Sequence, residues 1–211
     1  MIETIISILR FMPLAGIVAL LLIGVMWRAW LQRRRYGAWG IIRFSVKERA
    51  QAARVGAIAL PFAVLAGQAF DAAMRPVSVH LQTWPSPQIA LILSIVGAIV
   101  LVGGLALLVA AQLQMGASWR IGIDESAAPG LIDTGLFRFC RNPIYLALLV
   151  IVTGYVVLLP TLWSLFSWCA AYLLVRLQIA AEESYLQLSY GEAYETYARR
   201  VSRLLPCFGG T

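Results

Sequence analysis

Charge is scarce in this chain: 13% of its 211 residues are Asp, Glu, Lys or Arg, against 61% apolar or aromatic. Soluble domains carry about a quarter charged residues. With a mean hydropathy of +0.80, too little polar surface remains to face water, which excludes the soluble, disordered and nucleic-acid-binding classes. Histidine is nearly absent, with His80 alone, and Cys140, Cys169 and Cys207 keep no paired spacing. A disulfide framework and a metal centre built from Cys and His therefore drop out. The chain also lacks a Gly-rich phosphate loop, a Ser/His/Asp set and an HExxH pattern. It has no internal repeat of the kind that marks inverted-repeat transporters. What remains is an all-α, polytopic membrane protein.

The net charge of +7 is confined to one region. Residues 1–54 hold nine basic and two acidic groups, and residues 55–211 hold eight of each. The excess centres on Arg33, Arg34 and Arg35, directly after an apolar run, which is the pattern of a cytoplasmic loop. Because the cluster follows that run, the run reads as a retained anchor and not as a cleaved leader. About 20 apolar residues cross the hydrocarbon. On that measure residues 11–30, 55–74, 88–114, 143–159 and 162–181 give about five transmembrane helices. A basic, amphipathic connection around Ile41, Phe44 and Lys47 suits the membrane surface. Residues 143–159 and 162–181, parted only by Pro160 and Thr161, read as a tight C-terminal hairpin, and residues 182–203 as a polar helix leaving the bilayer. Counting Lys and Arg beside each span places the N-terminus outside and the C-terminus in the cytoplasm. Two regions follow: residues 1–114, three spans with a basic loop, and residues 115–211, where most of the polar chemistry sits.

Three groups of residues stand out in that second region. Asn142 and Pro143 open a helix as N-cap and first residue; with Arg138 and Arg141 beside it, this N-terminus is also suited to a carboxylate. Arg176 lies inside an apolar span, where an ionisable group is costly. It shares a helical face with Glu183, beside Glu182, so that a buried Arg and two carboxylates would meet both signs of a zwitterion. Tyr190, Tyr194 and Tyr197 form an aromatic stripe that serves either as an interfacial belt or as a cradle for a cation. Asp124 and Glu125, in a Gly/Ala/Pro loop, read as solvated, and Cys140 has no partner that would make it a nucleophile.

The order of these pieces carries a resemblance. The run Leu131 to Ala147, containing Gly135, Arg138, Arg141, Asn142, Pro143 and Tyr145, is followed by the hairpin, Glu182-Glu183, Tyr190-Gly191-Glu192, Tyr194 and Pro206. This resembles the C-terminal half of the isoprenylcysteine carboxyl methyltransferase family, which is related to the phospholipid N-methyltransferases. The resemblance implies an integral membrane methyltransferase with S-adenosylmethionine in a cytoplasmic pocket and a hydrophobic or lipidated acceptor arriving from the bilayer. It implies a cofactor site at Gly135, Arg138, Arg141, Asn142, Tyr145, Glu182, Glu183, Tyr194, Leu205 and Pro206. Arg176, Glu183 and Tyr145 are the candidates for the reacting end. No metal and no nucleic acid enter this picture. Asn142 stands where the family has His, and Ala147 where it has Gly; Asn hydrogen-bonds but does not titrate near neutrality. A membrane reductase of the sterol-reductase type, binding NADPH, is the second reading, and a non-enzymatic scaffold or channel the third.

Overall fold

The structure is a computed structural model that describes residues 2–37, 39–40, 49–76, 78, 84–119 and 130–204. Leu205 and Pro206, Asp124 and Glu125, and the amphipathic connection at residues 41–48 lie outside the described residues. Among these the fold is helical throughout, with no strand.

The first span is longer than residues 11–30. It runs over Ile2–Tyr36 as α1 (Ile2–Leu9), α2 (Met12–Ala19), a π-helical stretch (Leu20–Trp27) and α3 (Arg28–Tyr36). Pro13, with no N–H to give the preceding turn, forces the break between α1 and α2. Arg33, Arg34 and Arg35 occupy the last turn of α3 before a left-handed Gly37 cap, where cations complement the helix dipole. The next spans are α4 (Arg49–Met74) and α5 (Pro87–Gln114). Then come α6 (Pro143–Leu158), α7 (Leu162–Tyr190) and α8 (Glu192–Arg200). Among the described residues, four helices are long and apolar enough to cross a bilayer, and α6, at 16 residues, is the shorter fifth. At 1.5 Å per residue it reaches about 24 Å against about 30 Å of hydrocarbon. The hairpin turn is completed by the Thr161 hydroxyl, which accepts the Ser164 amide at 3.0 Å to cap α7. At 29 residues, α7 is about 43 Å long, so its polar last turns extend past the bilayer, as the sequence suggests.

In a bilayer, helices gain little from hydrophobic contact and associate through close packing at small residues. α5 and α6 show this: a Cβ on Gly104 would stand 2.9 Å from the Ile151 nitrogen, and one on Gly154 2.8 Å from the Leu101 nitrogen. These obstacles are backbone, which cannot step aside. Around the seam, Leu101, Leu108, Ile151, Val152 and Tyr155 join Leu65 and Ala69 of α4 and Val175 and Ile179 of α7 in one core. The buried Tyr155 hydroxyl is satisfied by the Pro13 carbonyl at 2.6 Å. Gly154→Val is expected to destabilise the protein by about 3 kcal/mol, at the upper end of overpacking costs. Thermal unfolding in detergent checks this, with Gly103→Ala, which meets open space, as the tolerated control.

A second tie joins the first span to the end of α5. Arg28, 1% exposed, donates to the Gln112 carbonyl at 3.2 and 3.3 Å, to the Gly116 carbonyl at 2.9 Å and to the Gln32 amide oxygen at 2.8 Å. Its guanidinium lies 4.6 Å from the Trp119 ring centre. The Gln112 side chain in turn donates to the Gly24 carbonyl of the π-helical stretch at 2.8 Å. Because Arg28 holds the C-terminal end of α5, the arginine cluster of α3 and the start of the 115–142 loop sit at the same end of the bundle.

Candidate functional site

At that end, a cavity of about 470 Å³ opens between the helices. Its walls come from the first span (Leu20, Leu21, Gly24, Val25), α4 (Val55, Ile58, Ala59, Phe62), α5, the start of α6, the end of α7 and α8. One end is apolar and lies at the depth of the spans. The other carries Arg141, Asn142, Tyr145, Glu182, Tyr190, Tyr194 and Tyr197.

Residues Gly135–Arg138 form a short 3₁₀ turn that leads into α6. Gly135 has φ +60°, and its Cβ position lies 2.9 Å from the side-chain carbon of Gln114, whose oxygen accepts the Leu136 amide at 2.6 Å. The positive φ therefore favours glycine there, while a Cβ would also displace the Gln114 amide from the Leu136 N–H. This turn buries Phe137 and leaves Arg138 exposed, its guanidinium 5.6 Å from the Phe139 ring centre. Of the two arginines expected to flank the helix start, only Arg141 lines the cavity.

Arg141, Asn142 and Glu183 come together as the sequence suggests, but they act on each other. Arg141 donates to Glu183 Oε1 through Nε at 3.1 Å and Nη2 at 3.0 Å. Its Nη1 donates to the carbonyls of Ala198 at 2.6 Å and Val201 at 2.7 Å, and its backbone amide to the Ser202 carbonyl at 2.9 Å. Asn142 holds the N-cap position without capping through its side chain. Its Nδ2 instead donates to Glu183 Oε1 at 3.3 Å and the Arg203 carbonyl at 3.0 Å. Arg203 adds an ion pair to Glu183 Oε2 at 2.5 Å. A capping side chain accepts hydrogen bonds from the helix amides; here the amide is turned to donate to a carboxylate that needs donors. The cluster fastens the 198–203 stretch to the start of α6 and the end of α7.

Glu182 faces a different environment. Its Oε1 accepts the Tyr145 hydroxyl and, at 2.9 Å, Nε2 of the buried Gln178. These partners are neutral, and no ion pair to Glu182 forms among the described residues. The carboxylate thus lines the cavity beside the rings of Tyr145, Tyr185, Tyr190 and Tyr194. Gly191 breaks the helix between Tyr190 and the other two stripe tyrosines. Tyr194 and Tyr197 nonetheless meet edge-on, with ring centres 6.2 Å apart, and the Tyr197 hydroxyl donates to the Phe137 carbonyl at 2.7 Å. Burial first, and the Glu183 carboxylate second, push the Tyr194 phenol up to about 12, so it is neutral at physiological pH. Burial likewise pushes the Cys140 thiol up, leaving it a neutral group against the Arg203 carbonyl.

Arg176 departs from the expectation of a buried cation at the reacting end. It is exposed, donates to the Tyr172 hydroxyl at 3.1 Å and does not line the cavity. Seven residues on a helix return to nearly the same azimuth, so Arg176 and Glu183 do share a face. At Glu183, however, Arg141 and the 198–203 stretch cover that face, and among the described residues nothing covers it two turns earlier. Gln178 and Arg203 were not among the residues singled out. Gln178 carries a legible signal, the i, i+4 spacing to Glu182, whereas Arg203 reaches Glu183 only through the tertiary fold.

Residues 92–193 match the sequence model of the phospholipid methyltransferase family. No curated protein matches the chain. The matched segment holds Gly135, Arg141, Asn142, Tyr145, Glu182 and Glu183, together with the α5–α6 seam that positions them. Over that segment, just under half of the chain, the protein is similar to the phospholipid methyltransferases.

Proposed function

We propose that this protein transfers the methyl group of S-adenosylmethionine to a hydrophobic acceptor held at bilayer depth. The observation that carries the reading is the two-ended cavity, with Glu182 and the tyrosine rings at one end and Leu21, Val25, Ile58 and Phe62 at the other. Its volume lies within the usual range for small-molecule sites, about 300 to 1,000 Å³. A carboxylate with only neutral partners among aromatic faces suits a cation, and the cofactor brings both an ammonium and a sulfonium.

When bound, the cofactor supplies an already activated methyl carbon, so no nucleophilic residue of the chain is required. The residues have three tasks. Glu182, held by Tyr145 and Gln178, fixes the orientation of the cationic ligand. Arg141, Asn142, Glu183 and Arg203 hold the 198–203 stretch in place and exclude water. The apolar end positions the acceptor chain so that its reacting atom approaches in line, and positioning and desolvation then carry the rate. Residues 115–211 form the cofactor half under this proposal, and residues 1–114 contribute the apolar wall. Since the arginine cluster of α3 and the cavity share one end of the bundle, the positive-inside rule makes that end cytoplasmic, with the N-terminus outside. NADPH would bring several phosphate charges, and among the described residues Arg141 is the one basic side chain lining the cavity.

Methyl incorporation from labelled S-adenosylmethionine into lipid extract, a prenylcysteine analogue and small thiols tests the reading; no transfer to any of them would overturn it. Phe62→Trp, which narrows the apolar end, is expected to raise KM for the lipid acceptor about tenfold. Cofactor affinity should stay unchanged, as parallel titrations with the two ligands would show.

A further inference from the structure

Charge is unevenly placed around the cavity. Among the described residues Glu182 is the one acidic side chain that lines it, and Arg141 the one basic side chain. Arg141 is already engaged by Glu183 and by the carbonyls of Ala198 and Val201. No lining cation is therefore free to receive an anionic acceptor, and Glu182 would repel one.

The position of Glu182 matters as much as its charge. α7 runs toward the cavity end of the bundle, and Glu182 is the first of its residues to line the cavity, ahead of Tyr185, Leu186 and Tyr190. On α6 the lining side chain beyond Tyr145 is Leu148. Tyr145 and Glu182 are thus the innermost polar residues that these two helices bring to the cavity, where its polar end meets the apolar one. The Tyr145 hydroxyl and Gln178 Nε2 both donate to Glu182 Oε1, so Oε2 is left for a cation. The Tyr145 oxygen, having donated its hydrogen, keeps a lone pair with which to accept one.

A sulfonium beside Glu182 offsets its charge. Methyl transfer converts the sulfonium to a neutral sulfide and leaves the carboxylate with neutral partners only. An uncompensated carboxylate held away from water takes up a proton. The other titratable groups at this end do not compete for it. The phenols of Tyr185, Tyr190, Tyr194 and Tyr197 are neutral near physiological pH, and Glu183 is paired with Arg141 and Arg203.

We propose that Tyr145 and Glu182 receive the proton that a neutral, protic acceptor releases when it is methylated. The inference rests on the methyl-transfer reading above. A lone pair on the acceptor's sulfur, nitrogen or oxygen forms the bond to the methyl carbon, and the electron pair of the breaking carbon–sulfur bond stays on the sulfide. The acceptor's proton passes to the Tyr145 oxygen as the Tyr145 hydrogen passes to Glu182 Oε1. Methylated acceptor, sulfide and Glu182 all end neutral, and Glu182 returns its proton to water when the products leave. The acceptor class is accordingly a hydrophobic thiol, neutral amine or alcohol. A carboxylate has no proton to give and meets Glu182 as a like charge.

The proton count is measurable without turnover. Calorimetric titrations of the purified full chain with S-adenosylmethionine and with S-adenosylhomocysteine, each in phosphate and in Tris, give the protons exchanged on binding. At neutral pH the S-adenosylhomocysteine complex is expected to hold about one more proton than the S-adenosylmethionine complex, and Glu182→Gln should remove the difference. With labelled S-adenosylmethionine, dodecanethiol should be methylated and dodecanoate should not. Tyr145→Phe, which keeps the ring, should lower kcat for the thiol about a hundredfold with little change in Tm or in affinity for S-adenosylmethionine. Equal proton exchange with the two ligands would overturn the proposal while leaving the methyl-transfer reading intact. So would methylation of dodecanoate as fast as of dodecanethiol, or an unchanged kcat in Tyr145→Phe. Failure of both ligands to bind a folded protein would overturn the methyl-transfer reading itself, and this proposal with it.

Discussion

Glu183→Ala is expected to release the 198–203 stretch and to lower stability by about 3 kcal/mol. Arg141, Asn142 and Arg203 all converge on this carboxylate. The side chains of the central pair are 12% and 10% exposed, so removing the anion leaves Arg141 largely desolvated and uncompensated, a situation that costs about 3 to 5 kcal/mol in buried pairs. Arg203 is 42% exposed, and its share is discounted accordingly. Glu183→Gln keeps an acceptor for Arg141 and Asn142 and should fall between wild type and Glu183→Ala. Thermal unfolding gives the size of the effect, and hydrogen exchange at residues 198–203 gives its location. An unchanged Tm, with this stretch still protected, would mean that the cluster does not hold the segment.

The neighbouring carboxylate should respond in the opposite way. Glu182 has two neutral hydrogen-bond partners and no ion pair among the described residues, so Glu182→Gln should leave Tm nearly unchanged. If Glu182 meets a cationic ligand, losing that charge-assisted contact costs about 1.5 to 3 kcal/mol, or about ten- to a hundredfold in affinity. The ligand pair also separates two orientations. S-adenosylhomocysteine keeps the ammonium but lacks the sulfonium charge. A mutation that weakens both ligands equally places the ammonium at Glu182, and one that weakens S-adenosylmethionine more places the sulfonium there. A loss of stability equal to that of Glu183→Ala would show that Glu182 is structural.

The architecture was largely legible because the bilayer enforces it: long apolar runs, the basic cluster after the first, and the Pro160-Thr161 break each have one simple reading. The pairing of Arg141 and Asn142 with Glu183 was also approachable, through the ordered motifs shared with a known family. The direction of those contacts was not. A sequence shows that an arginine stands at a helix start; it does not show that the carbonyls of residues 198 and 201 consume its donors. Arg176 makes the same point at one residue. Helical periodicity gave its azimuth correctly, but burial depends on what packs over that azimuth at each level, and the covering stretch comes from more than twenty residues later in the chain. Arg28 was read as one charge in an orientation signal. Its engagement with Gln112 and Gly116 rests on contacts more than eighty residues apart, for which local pattern has no signature.

Calorimetric titration of the purified protein with S-adenosylmethionine, which carries both cations, tests the central claim most directly. The account predicts saturable binding at one site, weakened about ten- to a hundredfold by Glu182→Gln and unaffected by Arg176→Gln. Absence of binding to a folded wild-type protein, or binding indifferent to Glu182, would contradict it.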